Sequence, residues 1–253
     1  MTDGEVHFVR RSGAVLLVLI AAAFIVLVGL GTWQVQRLQW KEELLATMDQ
    51  RLHSQPVSLG EVEQRFEHAG DIDYVPVVVS GSFRHAGERH LLSTWKGASG
   101  YNIYTPLELD DGRYLFVNRG FVPFDRKEPS TRAEGQIEGR IELTGLARNP
   151  VSEKPSFVVP DNDLAKNVFY WKDLSAMTSS AGLPASAPVL PFFVDAGAAP
   201  NPGGLPVGGV TLVNLPNNHL QYAITWYGLA AGLVAVSIAW FWRRRSPADD
   251  PRP

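Results

Sequence analysis

The 253-residue chain contains no cysteine. That excludes covalent c-type haem attachment through a Cys-x-x-Cys-His run, thiolate zinc sites and a cysteine-based copper carrier. It also excludes disulfides, so any domain outside the cytoplasm must fold on its own core although the compartment would permit cross-links. Methionine is scarce too: Met1, Met48 and Met177 are scattered and make no soft copper-binding set. The net charge of −3 provides no basic footprint for nucleic acid. His53, His68, His85 and His90 lie among many carboxylates, but there is no HExxH, no serine-centred elbow and no phosphate-binding loop. The chain therefore reads as a protein other than an enzyme.

Two long runs do lack charge, and they set the architecture. Leu220 to Trp242 carries no charge and as a helix would rise about 34 Å, enough for a hydrocarbon core of about 30 Å. Ser12 to Gln36 is the second such run, with an apolar centre from Ala14 to Leu30. A cleaved signal peptide is the rival for the first run. However, Ala21-Ala22-Ala23 lies inside apolar sequence longer than the usual signal core of about 7–15 residues, so an uncleaved anchor is expected. No long transit peptide precedes it, which favours a bacterial protein over a mitochondrial precursor. Arg10-Arg11 and Arg243-Arg244-Arg245 pull both termini to the cytoplasm; Arg37 and Lys41 weigh mildly against this. The expected organisation is a cytoplasmic N-terminus (1–12), a transmembrane helix (13–35), an extracytoplasmic domain (36–219), a second transmembrane helix (220–242) and a basic cytoplasmic tail (243–253). This would be a bacterial inner-membrane protein with a periplasmic domain.

The first span runs without a breaker through Gly31-Thr32-Trp33-Gln34 and Trp40-Lys41, predicting one helix to about Leu52. Ser58-Leu59-Gly60-Glu61 reads as a capping box opening a short helix towards Phe66. From Tyr74 the period changes to two. Strands are expected at 74–83, 89–94, 101–109, 113–121, 136–148, 168–171, 192–195 and 209–215, and a short helix at 173–181. Asp110-Asp111-Gly112 has the chemistry of a hairpin turn. Gly81, Gly120 and Gly145 near strand ends suggest bulges or close backbone crossings. The connectors 149–160 and 196–209 are rich in Pro and Gly, and the second is long enough to suggest a lid, binding edge or tether. The fold class that follows is a membrane protein with two transmembrane α-helices flanking an α+β, mainly antiparallel β domain, its sheet burying one face and wetting the other.

His219 stands one residue outside the second apolar run, after Pro216-Asn217-Asn218, which can end a loop and cap a helix. At helical spacing His219, Tyr222, Ala223, Trp226 and Tyr227 share a face, a wall suited to a flat ligand. The plainer reading is an aromatic interface belt beside a histidine that bonds a headgroup or carbonyl. Trp33, Arg37 and Trp40 form a similar face, with Arg37 able to lie over either ring; interface anchoring is again the plainer reading. Gly228 and Gly232, followed by Ala235, make a narrow helix-packing face. Its partner could be the first span or a helix of another protein.

Four stretches carry a resemblance. Gly-Thr-Trp-Gln-Val-Gln-Arg-Leu-Gln-Trp-Lys at 31–41, Val-Asn-Arg-Gly-Phe-Val-Pro at 117–123, Phe-Val-Asp-Ala-Gly at 193–197 and Asn-Asn-His-Leu-Gln-Tyr-Ala-Ile-Thr-Trp-Tyr-Gly at 217–228 closely resemble the signatures of the Surfeit locus protein 1 family, the Shy proteins of yeast. The likeness covers nearly the whole chain, in order. It implies an assembly factor for haem-copper terminal oxidases, especially cytochrome c oxidase, binding haem a and assisting its delivery to the catalytic subunit. The partners it implies are that subunit and haem a synthase, besides membrane lipid. It also implies that His219 is the haem-iron ligand and that Trp226 takes part. Tyr222 on the same face joins the expected haem a site, and Arg37 is a candidate propionate contact. The alternative is a haem-free scaffold that grips the oxidase subunit.

Overall fold

The computed structural model describes residues 3–211 and 217–245. With no proline in or after the first apolar run until Pro56, the run and its polar continuation form one helix, α1 (Asp3–Leu52), ending where expected. The second apolar run forms α4 (His219–Arg245). Both are long and apolar enough to cross a membrane, and only 6% of each apolar window is buried. A core helix of a soluble protein would show the reverse, so the pair fits a membrane protein. The chain divides into two units, Met1–Thr47 with Asn214–Pro253, and Met48–Val213.

In the second unit, β1 (Val57–Ser58) leads into α2 (Leu59–Ala69), whose capping-box Ser58 accepts a hydrogen bond from the Glu61 amide. Then come β2 (Pro76–Phe83), β3 (Arg89–Trp95), β4 (Ala98–Leu109), β5 (Tyr114–Pro123), β6 (Arg140–Arg148), the short helix α3 (Leu174–Ser180) and β7 (Val189–Ala196). Asp173 caps α3 by accepting from the Ala176 amide at 2.9 Å. The Asp110-Asp111-Gly112 turn joins β4 to β5, with Gly112 at φ +83° as such a turn requires. Arg51, in the last turn of α1, donates to Asp71 at 2.8 Å and to the Asp73 carbonyl at 2.9 Å. The Arg51 bond holds the Asp71 carboxyl down at about 2.

The strand order is β1-β2-β6-β7-β5-β4-β3, and β2 also pairs with β4. That extra pairing closes β2, β6, β7, β5 and β4 into a five-stranded barrel, with β5–β7 the one parallel contact within the ring. The expectation of one wet sheet face holds on β6, whose outward Arg140, Glu142 and Thr144 are exposed, but fails along β4, β5 and β7. Alternate residues point inwards, among them Val77, Val79, Leu107, Leu115, Val117, Phe192 and Val194, and fill the barrel. Val62 and Phe66 of α2 pack onto this core. The opposite side of the β4, β5 and β7 wall is covered as well. Tyr104, Phe116 and Phe193 pack there with Phe169 and with Met177 of α3, so β5 is buried along nearly its whole length.

Closure depends on close backbone approach. A Cβ at Gly81 would overlap the Glu108 carbonyl across the β2–β4 seam, and one at Gly120, whose φ is +120°, would overlap the Val207 carbonyl. Two expected strands are not formed. Residues 168–171 make only isolated bridges, Asp163 with Val168 and Leu91 with Phe169; Phe169 alone meets the β3 edge, donating its N–H to the His90 carbonyl at 2.8 Å and accepting from the Leu92 N–H at 2.7 Å. Gly209 to Thr211 is irregular, and the rest of that expectation lies outside the described residues.

Candidate functional site at the helix pair

The first unit places α1 and α4 side by side, antiparallel. Among the described side chains of α4 the buried and half-buried residues are His219, Ala223, Trp226, Ala230, Leu233, Ser237 and Trp240, in steps of four and three, with Phe241 beside the last. Leu27, Gly31, Gln34 and Leu38 repeat the same steps in α1. A seam with period 3.5 is how two helices keep one face in contact over several turns.

His219 opens α4 at one end of this seam. Its Nδ1 lies 2.8 Å from Gln34 Oε1, an Nδ1–H donating to an amide oxygen. That bond fixes the ring and the tautomer, leaving the Nε2 lone pair with no protein partner among the described residues. Iron-binding imidazoles are oriented in this way, by a partner on the other ring nitrogen. Beside it, Asn217 Oδ1 is buried without a hydrogen bond among the described residues. Asn218 serves the helix through its backbone, taking the Tyr222 N–H at 3.3 Å, and no Asn side-chain cap forms among the described residues. Residues 212–216, including Pro216, lie outside the described residues.

One turn further, Ala223 is only 2% exposed, so the helices approach closely there. Thr32 gives its hydroxyl proton to the Val28 carbonyl, so the 3.1 Å contact between Thr32 Oγ1 and the Tyr227 hydroxyl is a donation from tyrosine. The Tyr227 ring rests against Gly31, where a Cβ would come within 2.9 Å of it. The aromatic stripe is thus divided. Trp226 is half-buried on the seam with His219, Tyr227 is bound to α1, and Tyr222 stands on the exposed flank at 55%. Arg37 lies over Trp40, 4.6 Å from the ring centre, and both Trp33 and Trp40 are half exposed. Its guanidinium is thus positioned by Trp40, not by Trp33.

Gly228 and Gly232 do not pack against α1. A Cβ at either would meet nothing within 4 Å, because the seam uses Ala223, Ala230 and Gly31 and turns the two glycines outwards. Of the two partners the motif allowed, the first span is ruled out. Ala223→Leu is therefore expected to weaken the α1–α4 pair by about 1–3 kcal/mol, the usual cost of overfilling a tight contact, whereas Gly228→Leu should leave it intact. The cysteine-free background allows a direct measurement with a short thiol cross-linker between Gln34→Cys and His219→Cys. Equal cross-linking in the two variants would disprove this seam.

Gln34 is the residue that reading for site chemistry missed; it was visible only as part of a motif, since nothing in helical spacing joins positions 185 residues apart. A second missed feature is a buried ionic cluster in the barrel unit. Glu88 accepts from His90 Nε2 at 2.7 Å and from both terminal nitrogens of Arg132, and all three side chains are almost wholly buried. Burial pushes the Glu88 carboxyl up, but the His90 and Arg132 bonds and the Arg132 charge outweigh it and hold the group below the usual range. Among the described residues no three His, Asp or Glu side chains gather as a metal-binding group.

The sequence comparisons bear on this arrangement as a whole. The family model described as SURF1 family matches residues 21–231, from within α1 to within α4. The chain belongs to the SURF1 family. It is 38% identical over 229 residues to Surfeit locus protein 1 of Gallus gallus, covering 84% of this chain and 70% of that one. The corresponding protein of Homo sapiens is 37% identical over 244 residues, 90% of this chain and 75% of the relative. The SURF1-like protein of Monosiga brevicollis is 36% identical over 257 residues, 96% and 93% of the two chains. For this SURF1-family chain, the matched region contains His219, Gln34, Tyr222, Trp226 and Arg37, and both contacting turns of the helix pair.

Proposed function

We propose that this protein is an assembly factor for haem-copper terminal oxidases, cytochrome c oxidase above all, and that it carries haem a to the catalytic subunit. The observation that carries the reading is His219, tied at Nδ1 to Gln34 so that Nε2 is free to ligate iron. Haem a is cargo, and a single axial imidazole suits a site that must release it. Trp226 would offer a flat apolar ring on the His219 face and Tyr222 one on its exposed flank, and Arg37 would be the cation for a propionate. A farnesyl tail would gain about 0.8 kcal/mol per buried CH₂ among lipid or helix side chains. The haem partners are the catalytic subunit as acceptor and haem a synthase as donor.

The basic flanks support a bacterial inner-membrane location with both termini cytoplasmic and residues 36–219 periplasmic. Reporter fusions at the N-terminus and after Pro253 are expected to report cytoplasm, and a fusion within 149–160 the periplasm. A cytoplasmic signal from that connector would overturn the topology.

The test of the haem reading is purification of the full chain from cells making haem a, with pigment extraction to identify what is bound. A Soret band with haem a in the extract is the expected result; a colourless protein that still associates with the oxidase subunit would favour the haem-free scaffold. One observation favours that second reading, the outward face of Gly228 and Gly232, which is open to a helix of another protein.

A further inference from the structure

The motif at 117–123 places a guanidinium in the barrel wall that the helix-pair site does not use. Arg119 on β5 is 2% exposed, with its guanidinium 4.6 Å from the centre of the Phe83 ring. It donates to the Gly135 carbonyl, to Asn201 Oδ1 at 3.5 Å and to His85 Nδ1 at 3.5 Å. A guanidinium has five N–H donors, so Nε–H and one Nη1–H lack a protein partner among the described residues. No carboxylate pairs with it there either. The contrast with its neighbours is clear: buried Arg132 has Glu88, and Arg148 has Asp73 and Asp195. Burial pulls Arg119 down to about 10, which still leaves it charged at neutral pH. His85 is held below the usual imidazole range, chiefly by burial, and its Nε2 faces the Ile137 carbonyl at 2.8 Å. It therefore presents a lone pair to Arg119, not a positive charge.

The nearest negative charge that acts on Arg119 is Glu88, which is already paired with Arg132 and His90; a buried cation with no carboxylate of its own in contact is costly, and such a group calls for a partner from outside the chain. Arg119 lies in the wall of a cleft of about 610 Å³ at the barrel mouth where β7 ends. Phe83, Ile141 and Leu143 make its apolar side, and the 196–201 segment covers the other. Barrel mouths are common ligand sites, and this volume falls in their usual range of about 300–1,000 Å³. Glu142 stands on the rim as the one carboxylate among the lining residues and disfavours multiply charged anions.

We propose that the barrel mouth binds an amphiphile with one anionic head, a carboxylate or a phosphate, the head on Arg119 and the chain along Phe83, Ile141 and Leu143. The site shares no residue with the helix-pair site and does not depend on the haem reading.

The full chain in phosphatidylcholine nanodiscs can be photolabelled with diazirine-bearing hexadecanoic acid, the singly charged phosphodiester hexadecyl methyl phosphate, or hexadecanol, and the adducts mapped by mass spectrometry. One or both anionic probes should label 141–144 or 196–201 about tenfold more than the alcohol, the factor expected of a charge-assisted hydrogen bond, and the stronger probe identifies the head. Arg119→Met should reduce anionic labelling to the alcohol level, and Ala199→Trp, on the exposed segment, should reduce all labelling there by filling the cleft. Should Arg119→Met fail to fold, as judged by loss of trypsin resistance, Ala199→Trp and the probe comparison still decide. Equal labelling by alcohol and anions, labelling confined to α1 and α4, or full labelling of folded Arg119→Met would each overturn the proposal.

Discussion

His219→Ala is expected to remove the Soret band from the purified protein and to lower the haem content of the mature oxidase, without impairing membrane insertion. His219 is the residue to which the proposed site assigns the iron, and alanine offers no ligand in its place. Insertion should survive because the change removes a polar group at a helix edge and no core packing. The structure adds a graded series. Gln34→Leu leaves the ligand in place but frees Nδ1, so the ring can rotate and change tautomer; loss of such an orienting bond lowers metal affinity by about tenfold or more. His219→Met retains a weaker iron ligand. Trp226→Leu keeps apolar bulk on the seam and removes only the flat ring and its N–H, so the smallest defect is expected there. Haem titration of each purified variant, beside haem analysis of the oxidase, measures the order. Normal haem and normal oxidase with His219→Ala would make the ligand assignment wrong and leave the scaffold as the better account.

Much of this arrangement was legible in the chain because it is local. The uninterrupted run into Leu52, the Ser58 cap and the Asp110-Asp111-Gly112 turn each depend on a few neighbouring residues whose chemistry admits one backbone path. Period-two alternation marked which residues of β2, β4 and β7 turn inwards. It could not show that the β2 and β4 edges meet, since the Gly81–Leu109 pairing joins distant segments and leaves no mark on the alternation of either. The second apolar layer was hidden for a related reason: Tyr104, Phe116 and Phe193 occupy positions that alternation assigns to water, until Phe169 and Met177 arrive from outside the sheet. In the helix pair, spacing predicted the His219 stripe, but small residues at Gly228 and Gly232 say only that a close approach is possible. The side that α1 occupies is chosen by the complementary seam of Gly31, Gln34 and Leu38. Gln34 and Arg119 both needed three dimensions, one to find its histidine and the other to be seen without a carboxylate.

The largest expected stability effect lies at Glu88. Arg132→Met would leave the carboxylate in a site 3% exposed with His90 as its remaining side-chain partner, and removal of one member of a buried pair costs about 3–5 kcal/mol. Replacing both with apolar residues, Glu88→Met with Arg132→Met, should recover most of that loss, because no unpaired charge remains. Recovery stays incomplete, since Arg132 also donates to the Arg126 and Lys127 carbonyls at 3.1 Å each. The sign with pH follows from the depressed carboxyl. Its folded value lies below the unfolded one, so the stabilisation is fully present above the ordinary carboxylate range and is lost as pH falls through the folded value. The wild-type chain should therefore lose stability on acidification more steeply than the double variant, which has no Glu88 carboxyl to titrate. Proteolysis of the full chain in mild detergent across a urea series, repeated from neutral pH downwards, measures both quantities. A loss below about 1 kcal/mol for Arg132→Met would place the pair with exposed ion pairs, and parallel acid sensitivity in the double variant would assign the pH dependence to other carboxylates.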